Sequence, residues 1–77
     1  MKNYKIYVTA KEGIFNPAGA TAATALGQLG YDGVNNVRVG KFIELQTKDD
    51  VQRQTVTEMC EKLLANPVIE DFRIEEE

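Results

Sequence analysis

The segment from Val34 to Thr47 constrains the fold more than any other, because its extended pattern runs well beyond the usual 5 or 6 residues of a globular strand. Its odd-numbered positions Val37, Val39, Ile43 and Leu45 are apolar, with Lys41 as the exception. Two structures fit: one long strand bent at Gly40, or two strands joined by a tight turn at Gly40-Lys41. We favour the bent strand, because each arm of a hairpin would be very short. Such a strand can overhang its own sheet and pair with a second subunit.

A strand and a helix are predicted before this segment. Polar and apolar residues alternate from Tyr4 to Thr9, as expected of a half-buried strand. Asn16 is a favourable N-cap and Pro17 a favourable first helical residue, so a helix is predicted to begin there and to end near Gly30. Small and apolar residues repeat along it at spacings of three and four, which predicts close packing on a sheet. These residues are Ala18, Ala22, Ala25, Leu26 and Leu29.

A second helix is predicted after the long segment. Asp49 is expected to cap it, with Gln52 three residues later completing a capping box. The helix ends before Pro67, since proline disfavours helical geometry at the residue that precedes it. Its apolar stripe consists of Val56, Met59, Cys60, Leu63 and Leu64.

The chain is predicted to close with a strand from Val68 to about Ile74, with Val68, Phe72 and Ile74 on one face. Glu75 to Glu77 are expected to trail into solvent. The predicted fold is α+β, a single domain of residues 1–77 in the order β-α-β-α-β. Two helices pack on a small ferredoxin-like sheet, which dimerisation extends through the long second strand.

The chain offers no cross-link to support so small a core. A domain of 77 residues buries a limited share of its surface, so its stability is marginal. Cys60 is the only cysteine and histidine is absent, so neither a disulfide framework nor a structural zinc site is predicted. Association with another chain is the remaining source of stability.

Catalysis by this chain alone is not expected. Histidine, the commonest general base, is absent, and with it any Ser–His or Cys–His nucleophile pair. Cys60 lies on the apolar stripe of the second predicted helix, where burial as a small hydrophobic residue is the favoured interpretation. We therefore predict no catalytic residue, no metal site and no cofactor bound by this chain.

The charge balance argues against nucleic acid as a partner. The chain has 9 Lys and Arg against 12 Asp and Glu, giving a net charge of −3 that repels a phosphate backbone. The N-terminus alternates polar and apolar residues and lacks the apolar run of a signal peptide, and no segment is long and apolar enough to span a membrane. These features predict a soluble, cytoplasmic protein with no membrane partner.

Lys41 interrupts the apolar alternation of the long segment beside Gly40. Two interpretations stay open: an edge-strand charge that prevents aggregation, or a specific contact with Glu44 or with a carboxylate of a partner. Arg38 and Glu44 lie on the other face of the same predicted strand. We treat them as interface candidates, and not as ordinary surface charges, only because the predicted strand would be shared between subunits.

Two motifs in this chain resemble the PurS family, the small subunits of phosphoribosylformylglycinamidine (FGAM) synthase. They are Val37–Leu45 (VRVGKFIEL) and Met59–Phe72 (MCEKLLANPVIEDF). The likeness extends over nearly the whole chain, from Tyr4–Val8 (YKIYV) through Asn16–Gly19 (NPAG) to the acidic end. Either motif alone consists of common residues, but the two together are specific.

The resemblance implies a noncatalytic subunit of an ATP-dependent, glutamine-using ligase in the fourth step of de novo purine (IMP) biosynthesis. It implies a homodimer that bridges a glutaminase of the PurQ type and a synthetase of the PurL type and supports ammonia transfer between them. ATP and Mg would be used by the synthetase partner. Association beyond the dimer and the stoichiometry of the complex stay open.

The resemblance also supplies interface candidates, and no catalytic residue. Those in the strand motif are Arg38, Gly40, Lys41, Glu44 and Leu45. Those after the second helix are Asn66, Val68, Ile69, Glu70, Asp71 and Phe72. The alternative function is a dimeric ferredoxin-like regulatory module that binds a small metabolite, because the fold alone does not separate the two. A metabolite-binding module would show a ligand-dependent rise in melting temperature.

Overall fold

The computed structural model describes residues 1–77. Its elements are β1 (Lys2–Ala10), α1 (Pro17–Gln28), β2 (Lys41–Thr47), α2 (Arg53–Met59), a π-helical continuation of α2 (Cys60–Leu64) and β3 (Glu70–Glu76). The strands form one antiparallel sheet in the order β2-β1-β3. The predicted β-α-β-α-β order and α+β class are confirmed. No helix has the length and apolar character needed to cross a membrane.

The core lies between the sheet and α2. β1 is the central strand, and the alternation predicted for it is confirmed, because Tyr4, Ile6 and Val8 are fully buried while their neighbours are not. Val56 and Cys60 cover these residues from the helical side. Ala65 and Ile74 complete the buried hydrophobic core of seven residues. The core is therefore supplied by half of the chain, without α1.

Helix α1 projects from this core. The molecule measures 50 × 24 × 14 Å with a radius of gyration of 15.8 Å, whereas a compact chain of this length has about 11 Å. Only 9 of the 77 residues are buried, and α1 makes almost no contact with the strands. Packing of the small-residue stripe of α1 on the sheet of its own chain, as predicted, is therefore not observed. Ala18, Ala25 and Leu29 of this stripe are exposed.

The predicted ends of α1 are confirmed. Asn16 is the N-cap, and its Oδ1 accepts a hydrogen bond from the backbone N–H of Gly19 at 2.7 Å. Pro17 occupies the first helical position. Beyond the helix, Gly30 has φ +97°, a conformation that favours glycine and ends a helix.

The second strand is shorter than predicted. β2 begins at Lys41, and residues 34–40 pair with no strand of the chain, so neither a long strand within one sheet nor a hairpin at Gly40-Lys41 is observed. Gly40 has a different role from the predicted bend. A Cβ at this position would lie 2.3 Å from the carbonyl oxygen of Val8, so glycine permits the close approach of this segment to β1.

The predicted capping box of α2 is wrong. The N-cap is Gln52, which makes no side-chain capping bond. Asp49 instead pairs with the N-terminal ammonium group of Met1 at 2.6 Å. Hydrogen bonds from Thr55 and Val56 to the Gln52 carbonyl start the helix at a later residue than the side-chain pattern indicated.

The apolar stripe of α2 is confirmed for Val56 and Cys60 and wrong for Leu63. The segment Cys60–Leu64 is π-helical, with Ala65 N–H donating to the Cys60 carbonyl. A π-helix has more residues per turn than an α-helix, so a residue that α-helical spacing would place on the stripe is rotated away from it. Leu63 is consequently 82% exposed.

The last strand is displaced by two residues towards the C-terminus. β3 spans Glu70–Glu76, and Val68 lies in the preceding turn with 78% exposure, so its placement on the strand is wrong. Glu75 and Glu76 do not trail into solvent but pair with β1. Glu77 is held as well, because its backbone N–H donates to the Asn3 carbonyl and its carboxylate pairs with Lys5 at 2.6 Å.

Candidate interaction surface

Most residues of the two predicted interface motifs lie close together at one end of the sheet. β1 runs antiparallel to both neighbours, so β2 and β3 begin on either side of the point where β1 ends. Val8 lies opposite both Lys41 and Phe72, and Ala10 lies opposite Glu70. Glu44 and Leu45 are separate from this group, because they lie farther along β2, opposite Lys5 and Tyr4.

Lys41 joins the start of β2 to the end of the helical layer. Its Nζ donates a hydrogen bond to the backbone carbonyl of Leu64 at 3.1 Å. The last carbonyls of a helix have no partner within the helix, and a cation there also interacts favourably with the helix dipole. Lys41 therefore has a role within the chain that neither sequence interpretation included. It makes no ion pair with Glu44.

Asn66 and Glu70 shape the turn between the helical layer and β3. The Asn66 side chain accepts from the Val68 N–H at 3.1 Å, and the Glu70 carboxylate accepts from the Asn66 N–H at 2.7 Å. The Asn66 carbonyl accepts from the N–H groups of Ile69 and Glu70. These two candidates thus hold the backbone of the turn, and the turn presents Val68 and Ile69 to solvent.

The remaining candidates divide by burial. Leu45 and Phe72 are half-buried and pack on the core, so their first role is in the stability of the chain. Position 40 requires glycine, because any side chain there would collide with the backbone carbonyl of Val8. The candidates whose side chains are exposed and make no side-chain bond within the chain are Arg38, Glu44, Val68, Ile69 and Asp71.

The loop between β1 and α1 belongs to the same end of the sheet. The Lys11 N–H donates to the Ile69 carbonyl at 2.9 Å. Asn16 Nδ2 donates to the Val39 carbonyl at 2.9 Å. The loop thus contacts both interface motifs. The signal that could have identified it is the adjacent pair Ile14-Phe15, two large apolar residues outside any helical or strand period.

The sheet face opposite α2 is uncovered and carries an aromatic pair. Tyr7 and Phe42 are cross-strand neighbours with ring centroids 5.2 Å apart. The guanidinium of Arg73 lies 4.5 Å from the centre of the Tyr7 ring, a cation–π geometry. On the same face Lys5 donates to Glu77, and this hydrogen bond and the Glu77 charge raise the pKa of Lys5 above its ordinary value of 10.5.

Cys60 is buried in the core, and this burial, followed by the charge of Glu61, raises the pKa of its thiol above the ordinary value of 9.0. We expect the thiol to react with iodoacetamide only as fast as the chain unfolds, because the thiolate is the nucleophile.

Alkaline pH should also destabilise the fold, because the pKa of the Cys60 thiol is raised in the folded chain. The unfolded chain loses this proton first, so the free energy of unfolding falls as pH rises above about 9.

Labelling followed by mass spectrometry, with and without denaturant, checks the accessibility of Cys60. A Cys60→Ala variant is the control for the pH effect, because its free energy of unfolding should fall less steeply between pH 8 and 10. Rapid labelling of the native wild-type chain would contradict the buried position.

Comparison with known proteins identifies relatives over the full length of the chain. The family model PurS, described as phosphoribosylformylglycinamidine (FGAM) synthase, matches residues 3–77. The PurS subunit of Bacillus subtilis phosphoribosylformylglycinamidine synthase is 46% identical over 79 aligned positions, which cover 100% of this chain and 94% of the relative. The corresponding subunit of Methanocaldococcus jannaschii is 39% identical over 75 positions, covering 94% of this chain and 90% of the relative.

Solved structures agree with the sequence comparison. A crystal structure of B. subtilis PurS superimposes with a TM-score of 0.91 at 47% identity, covering 100% of this chain and 99% of the other. A chain in a structure of PurLQS from Thermotoga maritima superimposes with a TM-score of 0.82 at 28% identity, covering 99% and 96%. With the family model matching all but the first two residues, the chain belongs to the PurS family of phosphoribosylformylglycinamidine synthase subunits.

Proposed function

We propose that this chain is the noncatalytic small subunit of phosphoribosylformylglycinamidine synthase and bridges its glutaminase and synthetase subunits during ammonia transfer. The observation that carries the proposal is the match to PurS subunits over the full length, which includes a chain of the PurLQS structure. This function is favoured over the metabolite-binding alternative. The chain's own contribution is positional: it holds two larger proteins together and supplies no reacting group. The synthetase subunit uses ATP and Mg, and the complex works in the cytoplasm.

The chain acts as a homodimer in this proposal. A helix of 12 residues is marginal in water without tertiary packing, yet Ala18, Ala25 and Leu29 of the apolar stripe of α1 are exposed. Residues 34–40 likewise leave backbone groups without a strand partner. A second copy of the chain satisfies both requirements. Its sheet can accept residues 34–40 as a fourth strand at an edge, and its apolar residues can pack against α1.

The dimer is tested by placing charge on the uncovered stripe. Leu26→Glu with Leu29→Glu should convert the dimer to a monomer in sedimentation velocity, because two carboxylates cannot be desolvated in an apolar contact. Thr24→Glu with Gln28→Glu is the matched control, since it adds the same charges to another side of the helix. A monomeric wild-type chain, or a stripe variant that stays dimeric at the same concentration, would contradict this arrangement.

The bridging role is tested by assembly of purified components. The wild-type chain is mixed with the glutaminase alone, with the synthetase alone and with both, in the presence of glutamine and of ATP with Mg. Light scattering coupled to size exclusion should detect a ternary complex that forms only when this chain is included. A glutaminase–synthetase complex of equal stability without the chain would reject the bridging role.

A further inference from the structure

Residues 34–40 form a largely exposed segment that leads directly into β2 and contains no turn or bend. Its own chain holds it on one side. Asn16 Nδ2 donates to the Val39 carbonyl at 2.9 Å, and Gly19 of α1 lies against the Val37 carbonyl. The segment is therefore ordered before any partner binds, which reduces the conformational entropy lost when it pairs.

The outer edge of β3 is a poor partner for this segment. The Glu77 N–H donates to the Asn3 carbonyl, one step beyond the register of β3 on β1, so odd-numbered residues of β3 bond β1 and even-numbered ones point outwards. The outward carbonyl of Ile74 already accepts from the Arg53 guanidinium. Four of the seven residues of β3 are acidic, and charged side chains keep natural edge strands from pairing.

The outer edge of β2 is open. No side chain hydrogen-bonds to the backbone of Lys41–Thr47, and no strand of the chain pairs with this edge. β2 has seven residues, the same number as the adjoining segment 34–40. Two copies placed antiparallel would therefore each cover the other's β2 with residues 34–40. Such a contact is isologous, because one two-fold axis pairs both edges at once.

Apolar side chains define the register of this pairing. Val37 and Val39 occupy odd positions, as do Ile43 and Leu45, the half-buried residues by which β2 packs on the core. Residues directly opposite in an antiparallel pair share a face. Pairing residue 39 with residue 43 of the second copy, and 37 with 45, places both valines against these side chains. A shift by two residues would leave one valine opposite a polar residue, and a shift by one would turn both to the other face.

On the other face this register joins two charges that have no partner within the chain. Arg38 lies opposite Glu44 of the second copy, and by symmetry the pair occurs twice. Both side chains are exposed, and neither makes an ion pair in its own chain. Lys5, the cross-strand neighbour of Glu44 on β1, is paired with Glu77 instead. Opposite charges directly across an antiparallel pair stabilise it, and like charges destabilise it.

The two-fold axis of this pairing passes between the two copies of Lys41. Their like charges do not prevent the contact, because each Nζ donates to the Leu64 carbonyl of its own chain at 3.1 Å and is drawn towards the helical layer. Next to the axis, Gly40 lies opposite Phe42, whose side chain is 51% exposed. An aromatic ring across from a glycine in an edge strand covers the backbone that the glycine leaves bare.

We infer that residues 34–47 of two copies pair antiparallel about this axis, and that the ion pair between Arg38 and Glu44 of the second copy fixes the register. The inference rests on the homodimer of the proposed function and gives that dimer its edge, its register and a specificity contact. Residues 34–40 are its only shared strand, so the edge of β3 stays unpaired.

The test uses two single charge reversals, Arg38→Glu and Glu44→Arg. Each places like charges opposite each other twice in the homodimer. The Kd of dimerisation, measured by sedimentation equilibrium at fixed ionic strength, should therefore rise by about tenfold or more. The matched controls are Lys62→Glu and Asp71→Arg, which make the same charge changes at exposed residues without ion pairs. Both controls should dimerise like the wild-type chain.

An equimolar mixture of the two reversal variants gives the sharpest comparison. In the heterodimer every charge at positions 38 and 44 again lies opposite a charge of the other sign. Native mass spectrometry, with one variant isotopically labelled, should detect mainly the heterodimer, and sedimentation of the mixture should return the wild-type Kd. A mixture of the two controls should give homodimers and heterodimers in random proportion.

Wild-type dimerisation of both reversal variants, or a weakening that the mixture does not restore, would overturn the inference. Loss of the dimer in Asp71→Arg but not in Glu44→Arg would place the segment on the edge of β3 instead. If charge on the α1 stripe breaks the dimer while the reversals leave it intact, the homodimer stands and the shared strand fails. A monomeric wild-type chain would reject the proposed homodimer and this inference with it.

Discussion

Ile6→Ala is expected to leave this chain largely unfolded at 25 °C. Ile6 is fully buried on the central strand, and its neighbours Ile43 and Ile74 lie directly opposite on the two outer strands. Truncation of a buried Ile costs about 2–5 kcal/mol, because transfer energy is lost and a cavity remains. The whole free energy of unfolding of a domain is only about 5–15 kcal/mol, and a core of so few buried residues puts this chain at the low end.

Ile14→Ala is the matched control for this prediction. Ile14 is 42% exposed in the loop after β1, so the same truncation should change the free energy of unfolding by less than about 0.5 kcal/mol. Urea unfolding followed by circular dichroism, at one protein concentration for all variants, gives the comparison. Equal stability of the two variants would mean that the core is not centred on β1.

Gly19→Ala and Gly27→Ala are expected to change stability in opposite directions although both residues lie in α1. A Cβ at Gly19 would lie 1.9 Å from the carbonyl oxygen of Val37. Backbone cannot yield as a side chain does, so residues 37–39 must separate from the helix, at a cost of about 1–3 kcal/mol. A Cβ at Gly27 meets nothing within 4 Å. Alanine there should stabilise the helix by up to about 1 kcal/mol.

Thermal unfolding of both variants measures the difference. In a domain of this size a change of 1 kcal/mol shifts Tm by about 4–8 °C, so the two midpoints should lie on opposite sides of the wild-type midpoint. A Gly19→Ala variant as stable as the Gly27→Ala variant would show that the segment before β2 does not cross the start of α1.

The sequence predicted those features that depend on residues close together in the chain. The alternation of β1 and the Asn16-Pro17 start of α1 follow from local rules of burial and capping, and both are confirmed. The end of α1 near Gly30 follows in the same way from the positive φ that ends a helix. Together they define the α+β class and the order of elements.

The errors arise where distant groups compete with local preference. Asp49 has a side chain suited to an N-cap, but its carboxylate forms an ion pair with the N-terminal ammonium group of Met1 instead. Leu63 has the spacing of a core residue, but the π-helical turn rotates it into solvent. Glu75 to Glu77 are typical of a charged tail, but β1 offers free backbone groups and Lys5 a cation, and these hold the segment in the sheet.

The candidate interface shows the same division. The two motifs were found from resemblance, and the structure separates residues that shape the backbone, such as Asn66 and Glu70, from exposed residues such as Arg38 and Ile69. Phe15 and Lys11 were missed, because a loop has no period to analyse and their proximity to Arg38 and Ile69 depends on the tertiary fold. A Gly40→Val substitution would not test the dimer specifically. Its side chain would strike Val8 of the same chain before reaching a partner.

The central claim is tested most directly by formation of formylglycinamidine ribonucleotide from the purified glutaminase and synthetase, with and without this chain. Ammonia supplied in solution serves as the parallel nitrogen source, because it bypasses the bridge between the subunits. The account predicts that glutamine supports synthesis only when the chain is present, while the rate with ammonia is little changed. An equal rate with glutamine in the absence of the chain would contradict the account.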